Sequence, residues 1–179
     1  MNQNSRPWLL RAVAFFLCGA LLTVYGGCSK PDWKEYANRE GGYCVLLPGT
    51  PLHETEAVPT PLGKLSLQKA KADLGSLVYM VIHVDLTPTM QKYPDEVLLF
   101  AAVQGMKGRG YAMKRTQQLT LQGHSCTELC GLNEAEGIYC RARIFRVKTR
   151  MYQVAVYSST ESRVTDADAD KVFASFRLQ

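Results

Sequence analysis

The 179-residue chain is 46% hydrophobic and 21% charged, an ordinary balance for a folded domain that excludes long disordered tracts. Its formal charge is +5, and because Arg6 and Arg11 fall in an N-terminal leader the remainder carries +3. The remaining Lys and Arg are scattered along the chain, Lys64, Lys69, Lys71, Lys92, Lys107, Arg143 and Arg150 among them, so no nucleic-acid partner is expected.

Arg6 and Arg11 precede an apolar run from Ala12 to Tyr25, followed by Gly26-Gly27-Cys28 and the polar Ser29-Lys30-Pro31-Asp32. A positive start, an apolar middle and a small-residue exit make a secretory signal. The run is shorter than the roughly 20 apolar residues that a membrane-spanning helix needs, and Gly19 interrupts it. Val24-Tyr25-Gly26-Gly27-Cys28 resembles a bacterial lipobox, which makes Cys28 the expected lipidation (palmitate) site; Tyr25 stands where an aliphatic residue is usual. The chain therefore divides into a signal peptide (1–27), a lipid-anchored tether (28–32) and one domain (33–179). Ser29, instead of an Asp, after the cysteine favours the outer membrane where there is one. The expected location is the cell envelope.

Trp33 to Glu40 leads to Gly41-Gly42 and the apolar Tyr43-Cys44-Val45-Leu46-Leu47, a hairpin pattern. Pro48, Pro51, Pro59 and Pro61 punctuate the next stretch, to which no strand or helix is assigned. Leu65 and Leu67 alternate with polar neighbours after Gly63, as in a half-buried strand. Leu77 to Leu86 is rich in β-branched and aromatic residues and reads as a central strand.

Pro94 opens a helix with Asp95 and Glu96 in its first turn, facing the positive end of the helix dipole. Leu98, Ala101, Ala102 and Gly105 mark its buried stripe, and Lys107-Gly108-Arg109-Gly110 ends it. Strands follow over 112–121, 125–132, 138–147 and 151–158. Thr165 is the expected cap of a last helix with Ala169, Val172, Phe173 and Phe176 on one face. The expected architecture is α+β, a single antiparallel sheet packed with two main helices.

Several phrases carry a resemblance: Gly41 to Pro51, Thr60-Pro61-Leu62-Gly63, Tyr79 to Asp85, Arg150 to Val154, and Phe173-Ala174-Ser175-Phe176. They resemble short uncharacterised bacterial lipoproteins with a PsbP-like domain, the fold of the extrinsic photosystem II subunit and of DcrB-like proteins. The resemblance covers about Trp33 to Gln179 and implies a PsbP-like sandwich. It implies no catalytic set, and it does not imply photosystem binding because a fold hosts unrelated roles.

Cys44, Cys126, Cys130 and Cys140 follow Cys28, and an exported protein meets an oxidising compartment in many bacteria. With the turn centred on Ala135, Cys130 opposes Cys140, a candidate disulfide; the alternative is four small buried hydrophobes. A metal set of His124, Cys126, Cys130 and Cys140 lacks the C-x-x-C spacing of zinc sites, and no metal or other cofactor is expected. His83 and Asp85 share a strand face, but no nucleophile motif accompanies them. Lys107-Gly108-Arg109-Gly110 follows a helix where a phosphate loop would precede one. Arg141 and Arg143 sit one pleat apart, where they could take a carboxylate.

These readings lead to a non-catalytic, membrane-tethered domain that binds or scaffolds an unidentified envelope protein. The alternatives are a small-ligand carrier with a pocket between sheet and helix, and a hydrolase-like enzyme.

Overall fold

The computed structural model describes residues 31–60 and 62–179. The leader, Cys28 and the first part of the tether lie outside the described residues. Trp33–Asn38 (β1) and Tyr43–Pro48 (β2) pair antiparallel from Trp33↔Pro48 to Asn38↔Tyr43. Gly42 turns the chain at φ +66°. Gly41 is required for space, since a Cβ there would lie 2.5 Å from the Tyr43 ring and 3.0 Å from His83. The C-terminal Arg177–Leu178 (β10) joins the other side of β2, completing a three-stranded sheet.

The larger sheet has seven antiparallel strands. In chain order these are Leu52–Thr60 (β3), Gly63–Asp73 (β4), Leu77–Asp85 (β5), Tyr111–Leu121 (β6), His124–Asn133 (β7), Ile138–Val147 (β8) and Arg150–Ser158 (β9). Their order across the sheet is β3-β4-β5-β9-β8-β7-β6. Asp95–Gly108 (α1) and Ala167–Ser175 (α2) are the two α-helices among the described residues. No helix among those residues is long and apolar enough to cross a membrane.

The period-two alternation of strands assigns each side chain to one face of the large sheet. On one face Tyr79, Val81, Phe145, Tyr152, Val154 and Val156 pack against β2 and the buried stripe of α2. On the other, Leu129, Cys140, Ala142, Ile144 and Ala155 pack against Leu99, Val103 and Met106 of α1. Asp166 caps α2, its Oδ1 accepting from the Ala169 N–H at 2.9 Å. Thr165, the expected cap, is displaced by one residue because the carboxylate reaches the free N–H first.

The molecule is mostly β, with two sheets, which overturns the expectation of a single sheet packed with two main helices. The first hairpin does not join the main sheet. Tyr43, Val45 and Leu47 on one pleat of β2 and Cys44 on the other are all buried, so this strand forms a separate layer that seals the large sheet. Residues 52–60, to which the sequence assigns no strand or helix, are an edge strand. Pro59 is accommodated at the end of that edge, where its missing N–H breaks no interior ladder.

Candidate functional site

Helix α1 lies over β8, β7 and β6, reaches β9 at Ala155 and stands away from the same face of β4 and β5. The result is an open cleft of about 1080 Å³ between helix and sheet, at the upper end of the size range of small-molecule sites. Leu65 and Leu67 of β4, with Val78, Met80, Ile82 and Val84 of β5, form its floor. Leu98, Ala101, Ala102, Gly105 and Met106 form the helical wall. The wall follows from helical spacing, since these residues recur at three- and four-residue steps. Small residues at its middle keep the helix side chains out of the gap. A Cβ placed on Gly105 would meet no atom within 4 Å.

The two ends of the cleft differ. At the start of α1, Leu86, Met90 and Leu98 pack with Leu65 and Met151 into an apolar plug. At the other end Lys69, Lys71 and Arg109 line the cleft. Glu56 pairs with both Lys69 and Arg109, and Lys71 pairs with Asp73 at 2.9 Å. A second groove of about 790 Å³ runs along the opposite flank of α1 and is lined by Thr116, Gln118, Thr120, Ser125 and Thr127. That hydroxyl- and amide-rich lining makes it the more polar of the two.

Arg141 and Arg143 do bind a carboxylate, but an internal one. Glu128, 2% exposed, accepts from Arg143 Nε at 2.8 Å and Arg141 Nη2 at 3.2 Å through one oxygen. Its other oxygen accepts from Gln117 at 2.9 Å and Arg115 at 3.3 Å. Arg141 also holds Asp170 of α2 at 2.7 Å, and both Arg141 and Arg143 lie over the Phe173 ring. Burial alone would raise the Glu128 pKa, but the hydrogen bond from Arg143 and the charges of Arg141 and Arg143 outweigh it and hold the carboxyl below its ordinary range. This cluster ties α2 to the sheet. Its guanidinium groups are already committed.

His83 and Asp85 share a face as expected, yet they do not form a dyad. Asp85 is taken by Arg150 in a two-pronged pair at 2.6 and 3.1 Å. His83 is 4% exposed, between the rings of Tyr43 and Tyr152, and its Nδ1 has no partner among the described residues. Burial, aided by the Arg150 charge, lowers its pKa from 6.5. The unfolded chain therefore binds a proton that the native state refuses. The stability contributed by neutral His83 is fully present above pH 6.5 and is lost as the pH falls toward the lower native value. Thermal unfolding should show Tm falling between pH 6.5 and 5 in the natural chain, with a shallower fall in His83→Gln. Equal slopes would remove His83 as the cause.

The cysteines are separated by a register difference of one residue. The β7–β8 turn centres between Ala135 and Glu136, because Asn133 pairs with Ile138. Cys130 therefore opposes Arg141, and Cys140 opposes Gly131. One step along a strand reverses the face, so Cys130 lies on the α2 side and Cys140 on the α1 side. The expected pairing of Cys130 with Cys140 is not formed, and Cys44, Cys126, Cys130 and Cys140 are all free thiols. Burial pushes the Cys126 thiol up to about 11 and the Cys140 thiol up to about 12, which suits packing better than reactivity. The sheet likewise divides the cysteines of the metal set, and among the described residues no group of three or more His, Cys, Asp or Glu could hold a metal ion.

Of the stripe expected to be buried, Leu98, Ala101, Ala102 and Gly105, only Leu98 is; Ala101, Ala102 and Gly105 border the open cleft, and the buried residues of α1 are Leu98, Leu99, Val103 and Met106. The signal for the cleft was present in the small size of Ala101, Ala102 and Gly105, which leaves a helix unable to fill the space above a sheet.

No family model matches the chain, and no curated protein matches it. Among solved structures, the solution structure of cyanobacterial PsbP (CyanoP) from Synechocystis sp. PCC 6803 is similar at 14% identity and a TM-score of 0.53. The match covers 86% of this chain and 96% of that one. A protein of unknown function from Pseudomonas aeruginosa, PA94, is similar at 11% identity and a TM-score of 0.44, over 79% of this chain and 92% of that one. The likeness to CyanoP shows that the domain has a PsbP-like fold, as the sequence motifs implied.

Proposed function

We propose that the protein is a lipid-anchored domain of the bacterial cell envelope that binds an apolar ligand without catalysis, in the cleft between α1 and the sheet. The open apolar cleft of about 1080 Å³ carries this reading. A scaffold for a protein partner favours a flat patch and a hydrolase favours a nucleophile beside a base; the cleft is concave, and its charged lining is Lys69, Lys71, Arg109 and Glu136, with no His, Cys or Asp among the described residues. The lipobox-like Gly26-Gly27-Cys28 supports the anchor, with residues 1–27 removed as a signal and residues 28–32 as the tether. Two or more acyl chains on Cys28 would hold the domain firmly at a membrane.

The full chain tests both parts. Labelled palmitate should enter the natural chain and not Cys28→Ala. Organic extraction of the purified protein, followed by mass spectrometry, should release an apolar small molecule from the natural chain and from Gly105→Ala. Gly105→Trp, at a position where a Cβ meets no atom within 4 Å, adds an indole to the cleft wall and should release none. Release of the same molecule from Gly105→Trp would overturn the cleft as the binding site.

A further inference from the structure

The cleft has a direction, and that direction identifies the chemistry of its ligand. Its helical wall, from Leu98 to Arg109, is roughly 16 Å long at 1.5 Å per residue. Over that length the lining changes from mainly apolar to mainly cationic. Leu86, Met90 and Leu98 close one end, and Lys69, Lys71 and Arg109 line the other. The antiparallel pairing of β4 with β5 produces the same gradient in the floor. Leu65 and Val84 lie toward the plug, and Lys71 lies beside Met80 at the cationic end.

Resting on the reading of the cleft as a binding site, we infer that its ligand is an acyl-chain amphiphile with an anionic head. The tail runs along β5 to the Leu86–Met90–Leu98 plug, and the carboxylate or phosphate head meets Lys71, Arg109 and Lys69. One carboxylate, Glu136, lines the cleft beside these three cations. The present partners of the cations approach from outside the cleft. Glu56 and Asp73 have side chains 42% and 46% exposed, against 15% and 26% for Lys69 and Lys71, so the carboxylates sit on the solvent side of each pair. Each ammonium has three donors, so an anion entering along the apolar floor can use those that a surface carboxylate leaves free, in a less solvated position. A neutral head group would forgo that contact.

The full chain, reconstituted in zwitterionic bilayers, is exposed to three photoactivatable probes that carry the same diazirine-bearing acyl chain. They are a fatty acid, the corresponding fatty alcohol and a phosphatidylglycerol. Peptide mapping after illumination reads the sites of attachment. The anionic probes should label Val78–Val84 and Leu98–Met106 about tenfold more than the alcohol does, the ratio given by one hydrogen bond to a charged group. The double variant Lys71→Gln/Arg109→Gln should lose that preference, so that anionic and alcohol probes label its cleft equally. Labelling by the fatty acid alone supports the inference with a free fatty acid as ligand, and labelling by the phosphatidylglycerol alone supports it with a membrane phospholipid. Cleft labelling by the alcohol equal to that by both anionic probes would overturn the anionic head and leave the apolar binding site standing. Absence of cleft labelling by every probe, or labelling unchanged in Gly105→Trp, would overturn both.

Discussion

Replacing Glu128 by alanine should cost about 3–5 kcal/mol of folding stability, the usual loss when one partner of a buried ion pair is removed. The cost is high because the carboxylate is 2% exposed and faces three arginines, two of them with side chains only 10% and 20% exposed. Without it, Arg141 and Arg143 stand over Phe173 with Asp170 as the one remaining carboxylate of the cluster. Urea unfolding should show a lower midpoint with little change in slope, and Glu128→Gln should fall between alanine and the natural chain because it retains an acceptor. A loss within about 0.5 kcal/mol, typical of surface substitutions, would mean that the cluster stabilises nothing. The pH dependence has a definite sign. Because the native pKa of Glu128 lies below its ordinary 4.5, its contribution is present above that value and is lost as the pH falls through the native pKa.

Phe176→Ala should cost about 3–5 kcal/mol, the range for deleting a buried aromatic ring. Phe176 is 2% exposed and sits where the two sheets meet. Its ring stacks on Tyr43 of the small sheet at 5.4 Å and contacts Phe145 and Tyr152 of the large sheet at 5.5 and 6.0 Å. It also precedes β10, which pairs through Arg177↔Cys44. Hydrogen exchange should therefore quicken first at Tyr43, Cys44 and Leu178, and near-UV circular dichroism should weaken as the aromatic cluster loosens. Val97→Ala on the outer face of α1, where Val97 is 46% exposed, should change stability by no more than about 0.5 kcal/mol. Similar losses for the two variants would contradict a Phe176-centred closure of the two sheets.

Strand and helix positions were readable wherever one face of an element is buried. Leu77 to Leu86 stands out as an unbroken β-branched and aromatic run, Pro94 to Gly108 by its end signals and the last helix by its apolar spacing, and the structure places elements over nearly those bounds. The edge strand 52–60 escaped because most of its residues are exposed and its proline resembles loop punctuation. For Cys130 and Cys140 the strands were right and the pairing was off by one. The five residues between strands expected over 125–132 and 138–147 admit more than one turn centre, and each step of register moves a side chain to the opposite face. Arg141 and Arg143 were recognised as carboxylate partners. That the carboxylate belongs to Glu128 of the neighbouring strand follows only from the pairing Glu128↔Arg143.

The amino-acid order by itself determined the local structure, because backbone preferences, turn residues and the period of apolar side chains act within a few residues of one another. It also carried the PsbP-like pattern. Tertiary structure alone decided the division into two sheets, the faces on which the cysteines lie, and the cleft beside α1. Those depend on which surfaces meet across long stretches of chain. A run of small residues on a helix specifies a gap only once a sheet is placed opposite it.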